Sequence, residues 1–150
     1  DGVDVLTACA DKTYDLPRGE RLETLRSTDS GTAFLLTTGA GTVYHAGDLN
    51  DWTWEGEPDE DNRQMRENYR REIDRLKGRR IDVAFVPLDP RQEAHYAAGL
   101  LYFLSTVDAK RVYPMHYWKK PDVIGRFLTE YPQYRDIVQY TEKLSGGMEA

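Results

Sequence analysis

Ile81-Asp82-Val83-Ala84-Phe85-Val86-Pro87-Leu88 is an almost unbroken apolar run, followed at once by Asp89-Pro90. A run of that length, rich in branched and aromatic residues and closed by turn formers, predicts a strand covered on both faces. Such a strand belongs in a sheet overlaid by helices, which confines the chain to layered α/β architectures.

The flanking segments agree. Over residues 59–77, Met65, Tyr69, Ile73 and Leu76 form one apolar stripe at helical spacing, with acids at the start, bases at the end and Gly78 as terminator. Beyond the run, Asp89 as N-cap, Pro90 at the first position and Gln92 three residues after the cap predict a helix to about Thr106, carrying Leu100, Phe103 and Leu104. Residues 109–116 predict a strand ending on His116. Pro121 opens a helix with Val123, Ile124, Phe127 and Leu128 on one side, stopped by Pro132. Residues 137–140 read as a short last strand and residues 143–150 as a frayed tail.

Upstream the pattern is all β. Residues 3–7 alternate as a strand, residues 14–19 are turn-like, and residues 20–25 predict a short exposed strand. Thr32–Thr38 and residues 42–46 flank Gly39-Ala40-Gly41, which predicts a β-hairpin. The hairpin brings Asp29, just before its first strand, and Asp48, just after its second, to one edge of the sheet. The expected fold is therefore a hairpin followed by alternating helices and strands, in one domain spanning residues 1–150.

Charged residues make up 31% of the chain and the net charge is −6, which argues against a nucleic-acid backbone as partner. The basic run from Arg70 to Arg80 is interleaved with acids and reads as a solvated helix face. One cysteine, Cys9, excludes an internal disulfide and fits a reducing compartment. No apolar run is long enough to span a bilayer, and the expected location is cytoplasmic. The chain starts at Asp1 and its first methionine is Met65, so further residues are expected upstream.

Three side chains fall at strand ends, Asp48, Asp89 and His116, with Asp29 on the edge of Asp48. In a sheet whose strands run the same way, their C-terminal ends share the rim where ligands bind. Carboxylate plus imidazole is a donor set for Zn, Mn or Fe rather than Ca. Each residue also has a plainer role: Asp48 as a turn former, Asp89 as a helix cap, His116 as a packed histidine. His45 points to the face opposite Asp48 by strand alternation, and His95 falls on a helix surface. Nucleophilic catalysis by Cys9, Ser27 or Ser30 has no partner base in readable spacing.

Four blocks in order, Ser27-Thr28-Asp29-Ser30-Gly31-Thr32-Ala33-Phe34-Leu35, Tyr44-His45-Ala46-Gly47-Asp48-Leu49-Asn50, Phe85-Val86-Pro87-Leu88-Asp89-Pro90-Arg91 and Tyr113-Pro114-Met115-His116-Tyr117-Trp118, resemble the metallo-β-lactamase-fold hydrolases, in their bacterial Zn-dependent branch. The resemblance covers about residues 20 to 131. It implies a four-layer αββα sandwich with a one- or two-metal site on one edge. Asp48 stands at the position of the metal-bridging aspartate, His116 at that of a late histidine ligand, and Asp29 near that of a further ligand. The implied chemistry is a metal-bound hydroxide attacking an ester, amide or phosphoester of a small-molecule substrate. Zinc is the implied metal, with iron or manganese as alternatives.

The family's His-x-His-x-Asp-His motif has no counterpart among His45, His95 and His116. The resemblance therefore implies a C-terminal portion, with Asp48, His116 and Asp29 as an incomplete shell. The apolar face meant for the other sheet would need that missing N-terminal half or a second copy of the chain to cover it. A second expectation is a non-catalytic remnant that pairs through this face. A third is a phosphatase-like enzyme using Asp48 as nucleophile, disfavoured because Asp48 ends a hairpin rather than a first parallel strand. Trp52 and Trp54 follow Asp48 and either wall a pocket or pack on the helix from residue 59.

Overall fold

The computed structural model describes residues 5–140. Its framework is a single six-stranded mixed sheet whose strands lie side by side in chain order. β1 (Thr13–Asp15), β2 (Arg21–Arg26), β3 (Thr32–Thr38) and β4 (Gly41–His45) form an antiparallel meander. β5 (Arg80–Pro87) then pairs parallel with β4, and β6 (Asp108–Met115) parallel with β5. The change of direction has a simple cause. Short polar turns can only reverse the chain, whereas the crossovers after β4 and β5 carry helices and return the chain to the same end of the sheet.

α1 (Asp59–Asp74) and α2 (Ala98–Thr106) are those helices, and α3 (Asp122–Glu130) follows β6. One hydrophobic cluster joins Leu25, Leu35, Tyr44, Ala84, Val86 and Val112 of the sheet to Tyr69, Ile73, Leu100, Phe103, Ile124 and Phe127 of the helices. The Tyr44 and Phe103 rings stack with centroids 5.4 Å apart, and the Tyr69 hydroxyl donates to the Gly99 carbonyl at 2.8 Å. The expected stripe on the first helix is the buried one, with Tyr69, Ile73 and Leu76 buried and Met65 half-buried at its leading end.

The other face of the sheet is not fully covered. Phe34, His45, Phe85 and Tyr113 are cross-strand neighbours along one row of it. Phe34, Phe85 and Tyr113 are only half-buried and His45 is exposed. The expectation that residues 81–88 are covered on both faces therefore holds on one face alone, and the described residues contain one sheet, not the two of a four-layer sandwich.

Four further sequence expectations need correction. Residues 5–7 form no strand, and Val5 and Leu6 lie exposed, while residues 3 and 4 of that predicted strand lie outside the described residues. The strand predicted over residues 20–25 is β2, but it is not exposed, since it lies between β1 and β3 with Thr24 and Leu25 buried; the turn predicted before it forms as the 3₁₀ segment Pro17–Gly19, with Tyr14 and Asp15 belonging to β1. The helix predicted from Asp89 to Thr106 is broken. A 3₁₀ segment, Pro90–His95, holds Glu93 at φ 52°, and α2 begins only at Ala98. The predicted last strand is a single parallel bridge between Val112 and Val138. The predicted frayed tail at residues 143–150 lies outside the described residues.

No helix among the described residues is long and apolar enough to cross a membrane.

Candidate functional site

Sheet register assembles the site. β5 and β6 run parallel with Pro87 beside Met115, and the Leu88 amide donates to the Met115 carbonyl at 2.8 Å. Asp89 and His116 therefore leave the sheet side by side. β4 lies on the other flank of β5 with His45 beside Phe85, and the Ala46 amide continues the ladder to the Phe85 carbonyl at 3.0 Å. Asp48 then emerges beyond the same rim. Gly47 makes that exit possible, because its φ is 55° and a Cβ there would lie 2.9 Å from the Thr32 carbonyl oxygen.

The loop that carries Asp48 is anchored by buried polar groups. Asn50, Asp51, Thr53 and Gln92 are all nearly inaccessible. Asn50 donates through Nδ2 to Gln92 Oε1 at 3.0 Å, and Gln92 donates through Nε2 to the Asp51 and Thr53 carbonyls at 2.7 and 3.0 Å. The Thr28 hydroxyl donates to the Asn50 carbonyl at 2.6 Å and accepts from the Asn50 amide at 3.0 Å. These bonds tie the turn that bears Asp29 to the loop that bears Asp48, and both to the 3₁₀ segment after Asp89.

His116 stands between two carboxylates. Its Nδ1 is 3.0 Å from Asp89 Oδ2, and its Nε2 is 3.5 Å from Asp48 Oδ1. Asp89 is fully buried, and it is saturated with donors. The Arg91 amide donates to Oδ1 at 2.9 Å, Arg91 Nη2 to Oδ2 at 2.5 Å, and Trp118 Nε1 to Oδ2 at 3.2 Å. Burial pushes the Asp89 carboxyl up, but the hydrogen bonds from Arg91 and His116 outweigh it and hold the group below the ordinary carboxylate value. Asp48 is different, with a side chain 42% exposed and a histidine as its facing group.

Five planar groups form a closed chain of contacts that includes the three side-chain partners of Asp89. His116 and Trp52 lie with ring centroids 5.1 Å apart, Trp52 stacks on Trp54 at 6.1 Å, and Trp118 meets His116 edge-on at 5.4 Å. The Arg91 guanidinium completes the circle, 4.4 Å from the Trp118 ring centre and 5.9 Å from that of Trp54. All three tryptophans of the chain are in this girdle. Backbone strain accompanies it, since His116, Trp118 and Lys119 have φ of 67°, 48° and 59°, a region that ordinary side chains disfavour.

A cleft of about 240 Å³ opens beside His116, lined by Thr28, Asp29, Trp52, Trp54, Met65 and Arg91. Asp48 and His116 are brought together, and Asp29 lines the same cleft as His116. Asp89 is the helix cap that the sequence offered as its plainer role, and it is also the partner of His116 Nδ1, a role the sequence did not suggest. Trp52 and Trp54 wall the cleft, and Trp52 is also buried. His45 lies on the open face with Nδ1 accepting from the Gly47 amide at 3.0 Å, and His95 ends the 3₁₀ segment. Sequence reasoning gave no role to Arg91 or Trp118. The one signal for Arg91 was its position two residues after a capping aspartate, where its amide and guanidinium both reach the same carboxylate.

With a charged Asp89, Nδ1 of His116 is the donor, and a neutral ring then turns the Nε2 lone pair toward a carboxylate oxygen. In that neutral form Nε2 and Asp48 Oδ1, 3.5 Å apart, are two facing acceptors. A proton or a cation resolves that contact, so the donor types fit a metal such as zinc. The number does not fit a complete site, since among the described residues no group of three or more His, Cys, Asp or Glu side chains is arranged to hold a metal ion.

No protein-family model matches the chain, and no curated protein sequence matches it. Among solved structures, a Thermotoga maritima protein described as a putative Zn-dependent hydrolase of the metallo-β-lactamase superfamily superposes with a TM-score of 0.42 at 18% identity. The superposition covers 75% of this chain and 50% of that protein, so the chain spans about half the length of its structural neighbour.

Proposed function

We propose that this rim is part of the active site of a metal-dependent hydrolase. The observation that supports it is the pair of facing acceptors, His116 Nε2 and Asp48 Oδ1, 3.5 Å apart at the C-terminal ends of parallel strands. Asp48 and His116 are the metal donors, and Asp29, on the wall of the same cleft, is the third. A catalytic zinc normally takes three protein ligands, so the full two-metal site draws others from an N-terminal half of the protein or from a second copy seated on the open sheet face. Zinc is the proposed metal, with iron or manganese as alternatives. When bound, the metal acts as a Lewis acid toward a small-molecule ester, amide or phosphoester and makes water a competent nucleophile near neutral pH. The chain itself orients the histidine, keeps Asp48 accessible and offers an aromatic wall beside the reacting groups. By this reading the 150-residue chain alone binds metal weakly and does not turn over substrate.

Zinc titration followed by tryptophan emission tests the assignment, because every tryptophan lies in the girdle around His116. The Asp48→Ala/His116→Ala double variant is expected to lose the response. An unchanged zinc isotherm would end the assignment, and robust hydrolysis by the isolated chain would end the partial-site reading.

The half-buried row Phe34, Phe85 and Tyr113 favours a second reading, a non-catalytic module of similar fold that pairs through this face. Analytical ultracentrifugation of Phe85→Glu beside zinc titration of the wild type separates the two: association through this face without zinc binding supports the module, and zinc binding lost with Asp48 and His116 supports the hydrolase.

A further inference from the structure

We propose that Asp89, clamped by Arg91, is a positioning residue that fixes His116 as its Nδ1–H tautomer and aims the Nε2 lone pair at Asp48. The proposal deepens the site reading above and rests on it for the choice of metal as ligand. The geometry leaves the carboxylate of Asp89 little freedom. Its Oδ1 accepts from the Arg91 amide at 2.9 Å and from Arg91 Nε at 3.0 Å, which fixes the carboxylate plane against the start of the 3₁₀ segment. Its Oδ2 accepts from Arg91 Nη2 at 2.5 Å and Trp118 Nε1 at 3.2 Å, and His116 Nδ1 lies 3.0 Å away. An ionised carboxylate only accepts, so Nδ1 must carry the hydrogen and Nε2 must be bare in the neutral ring.

The ring cannot rotate out of this arrangement cheaply. Trp52 lies against it on one side and Trp118 meets it edge-on, while the backbone at His116 is held at φ 67°. Capping and orientation are the same contact. A capping role needs one accepting oxygen toward the Arg91 amide, which Asp, Asn and Ser all supply. The orienting role needs a second accepting oxygen toward His116, which only the carboxylate supplies. An amide at this position would present its NH₂ to Nδ1 and drive the proton to Nε2, closing off the lone pair that faces Asp48. The arrangement follows the general pattern in which a carboxylate sets the tautomer of a ligating histidine.

The test is tautomer assignment by two-bond ¹H–¹⁵N correlation on the metal-free full chain in alkaline buffer, with the His116 signals identified by their loss in His116→Gln. Wild type is expected to show Nδ1–H. Asp89→Asn is expected to invert the ring to Nε2–H and to weaken zinc binding by about 10- to 100-fold. Asp89→Ser, which keeps a capping oxygen but cannot reach His116, is expected to keep the circular-dichroism spectrum and lose zinc affinity by a similar factor. A wild-type ring in the Nε2–H form overturns the proposal without any variant. So does an Asp89→Asn protein with unchanged tautomer and unchanged zinc affinity, since capping alone would predict that result. If wild type shows Nδ1–H, Asp89→Asn inverts it and neither protein binds zinc, the positioning role stands and the metal assignment falls.

Discussion

At the rim where β4, β5 and β6 begin, carboxylates are held by cations and backbone amides. Asp82 accepts from Lys110 Nζ at 2.6 Å and from the Thr42 amide at 2.9 Å. Glu23 and Arg79, just before β5, form a two-point contact at 2.8 and 2.9 Å. At the rim where the same strands end, the partners are shared out unequally. Asp89 collects Arg91, Trp118 and His116, whereas among the described residues the Asp48 side chain faces only the histidine. The ending rim concentrates its stabilising contacts on one aspartate and leaves the second half-exposed beside a histidine, the distribution that the proposed site calls for.

Four measurements press on that contrast. The largest effect is expected at the saturated carboxylate. Asp89→Ala removes the cap and strands both Arg91 and the His116 Nδ1 hydrogen, and urea unfolding should register a loss of about 2–4 kcal/mol. A loss below that of Asp82→Ala at the opposite rim would erase the distinction between the two rims. Gly99→Ala comes next. A Cβ at this position would lie 1.9 Å from Asn50 Oδ1, inside the network that anchors the Asp48 loop. Overpacking of this kind costs about 1–3 kcal/mol, and tryptophan emission should change with it because Trp52 shares the loop.

Glu23→Gln should cost about 0.5–1 kcal/mol near neutral pH, as for a well-formed but partly solvated pair. Its hydrogen bonds from Arg79 lower the Glu23 carboxyl below its ordinary value of 4.5, against the upward push of partial burial. A depressed folded-state value means that the contribution is complete above the ordinary value and is lost as pH falls through the folded one. Urea midpoints of wild type and Glu23→Gln should therefore differ near neutral pH and converge as the pH falls below the lowered folded-state value. A constant gap would show that the pair does not titrate with folding. The smallest stability effect is expected at Asp48→Asn, within about 0.5 kcal/mol of wild type, because no donor is lost and the side chain is well exposed. A loss as large as that of Asp89→Ala would mean that Asp48 is structural, and the asymmetry of the ending rim would vanish.

Much of this was legible in the chain, and specific residues show why. The hairpin from Thr32 to residue 46 and the apolar stripe on α1 depend on local turn chemistry and on periodicity, both of which are written in adjacent residues. The same holds for the prediction that Asp29 and Asp48 share an edge, since the hairpin alone sets it. The continuous helix from Asp89 to Thr106 failed because its cap signals are real but local. They specify one turn, and after that turn Gln92 is drawn inward to the Asp51 and Thr53 carbonyls while Glu93 takes a positive φ. The open sheet face could not be read from residues 81–88, because an apolar strand looks the same whether one covering layer is present or two.

Sequence by itself determined that this is an α/β chain with Asp48, Asp89 and His116 at strand ends, because hydrophobic period, breakers and caps are local properties. Only the tertiary structure decided how the three relate. The parallel pairing of β5 with both β4 and β6 sets them on one rim, the register beside Met115 puts Asp89 rather than Asp48 against Nδ1, and the Arg91 clamp decides which side of the imidazole carries the hydrogen. Those are distances between segments tens of residues apart, and no short stretch of chain encodes them.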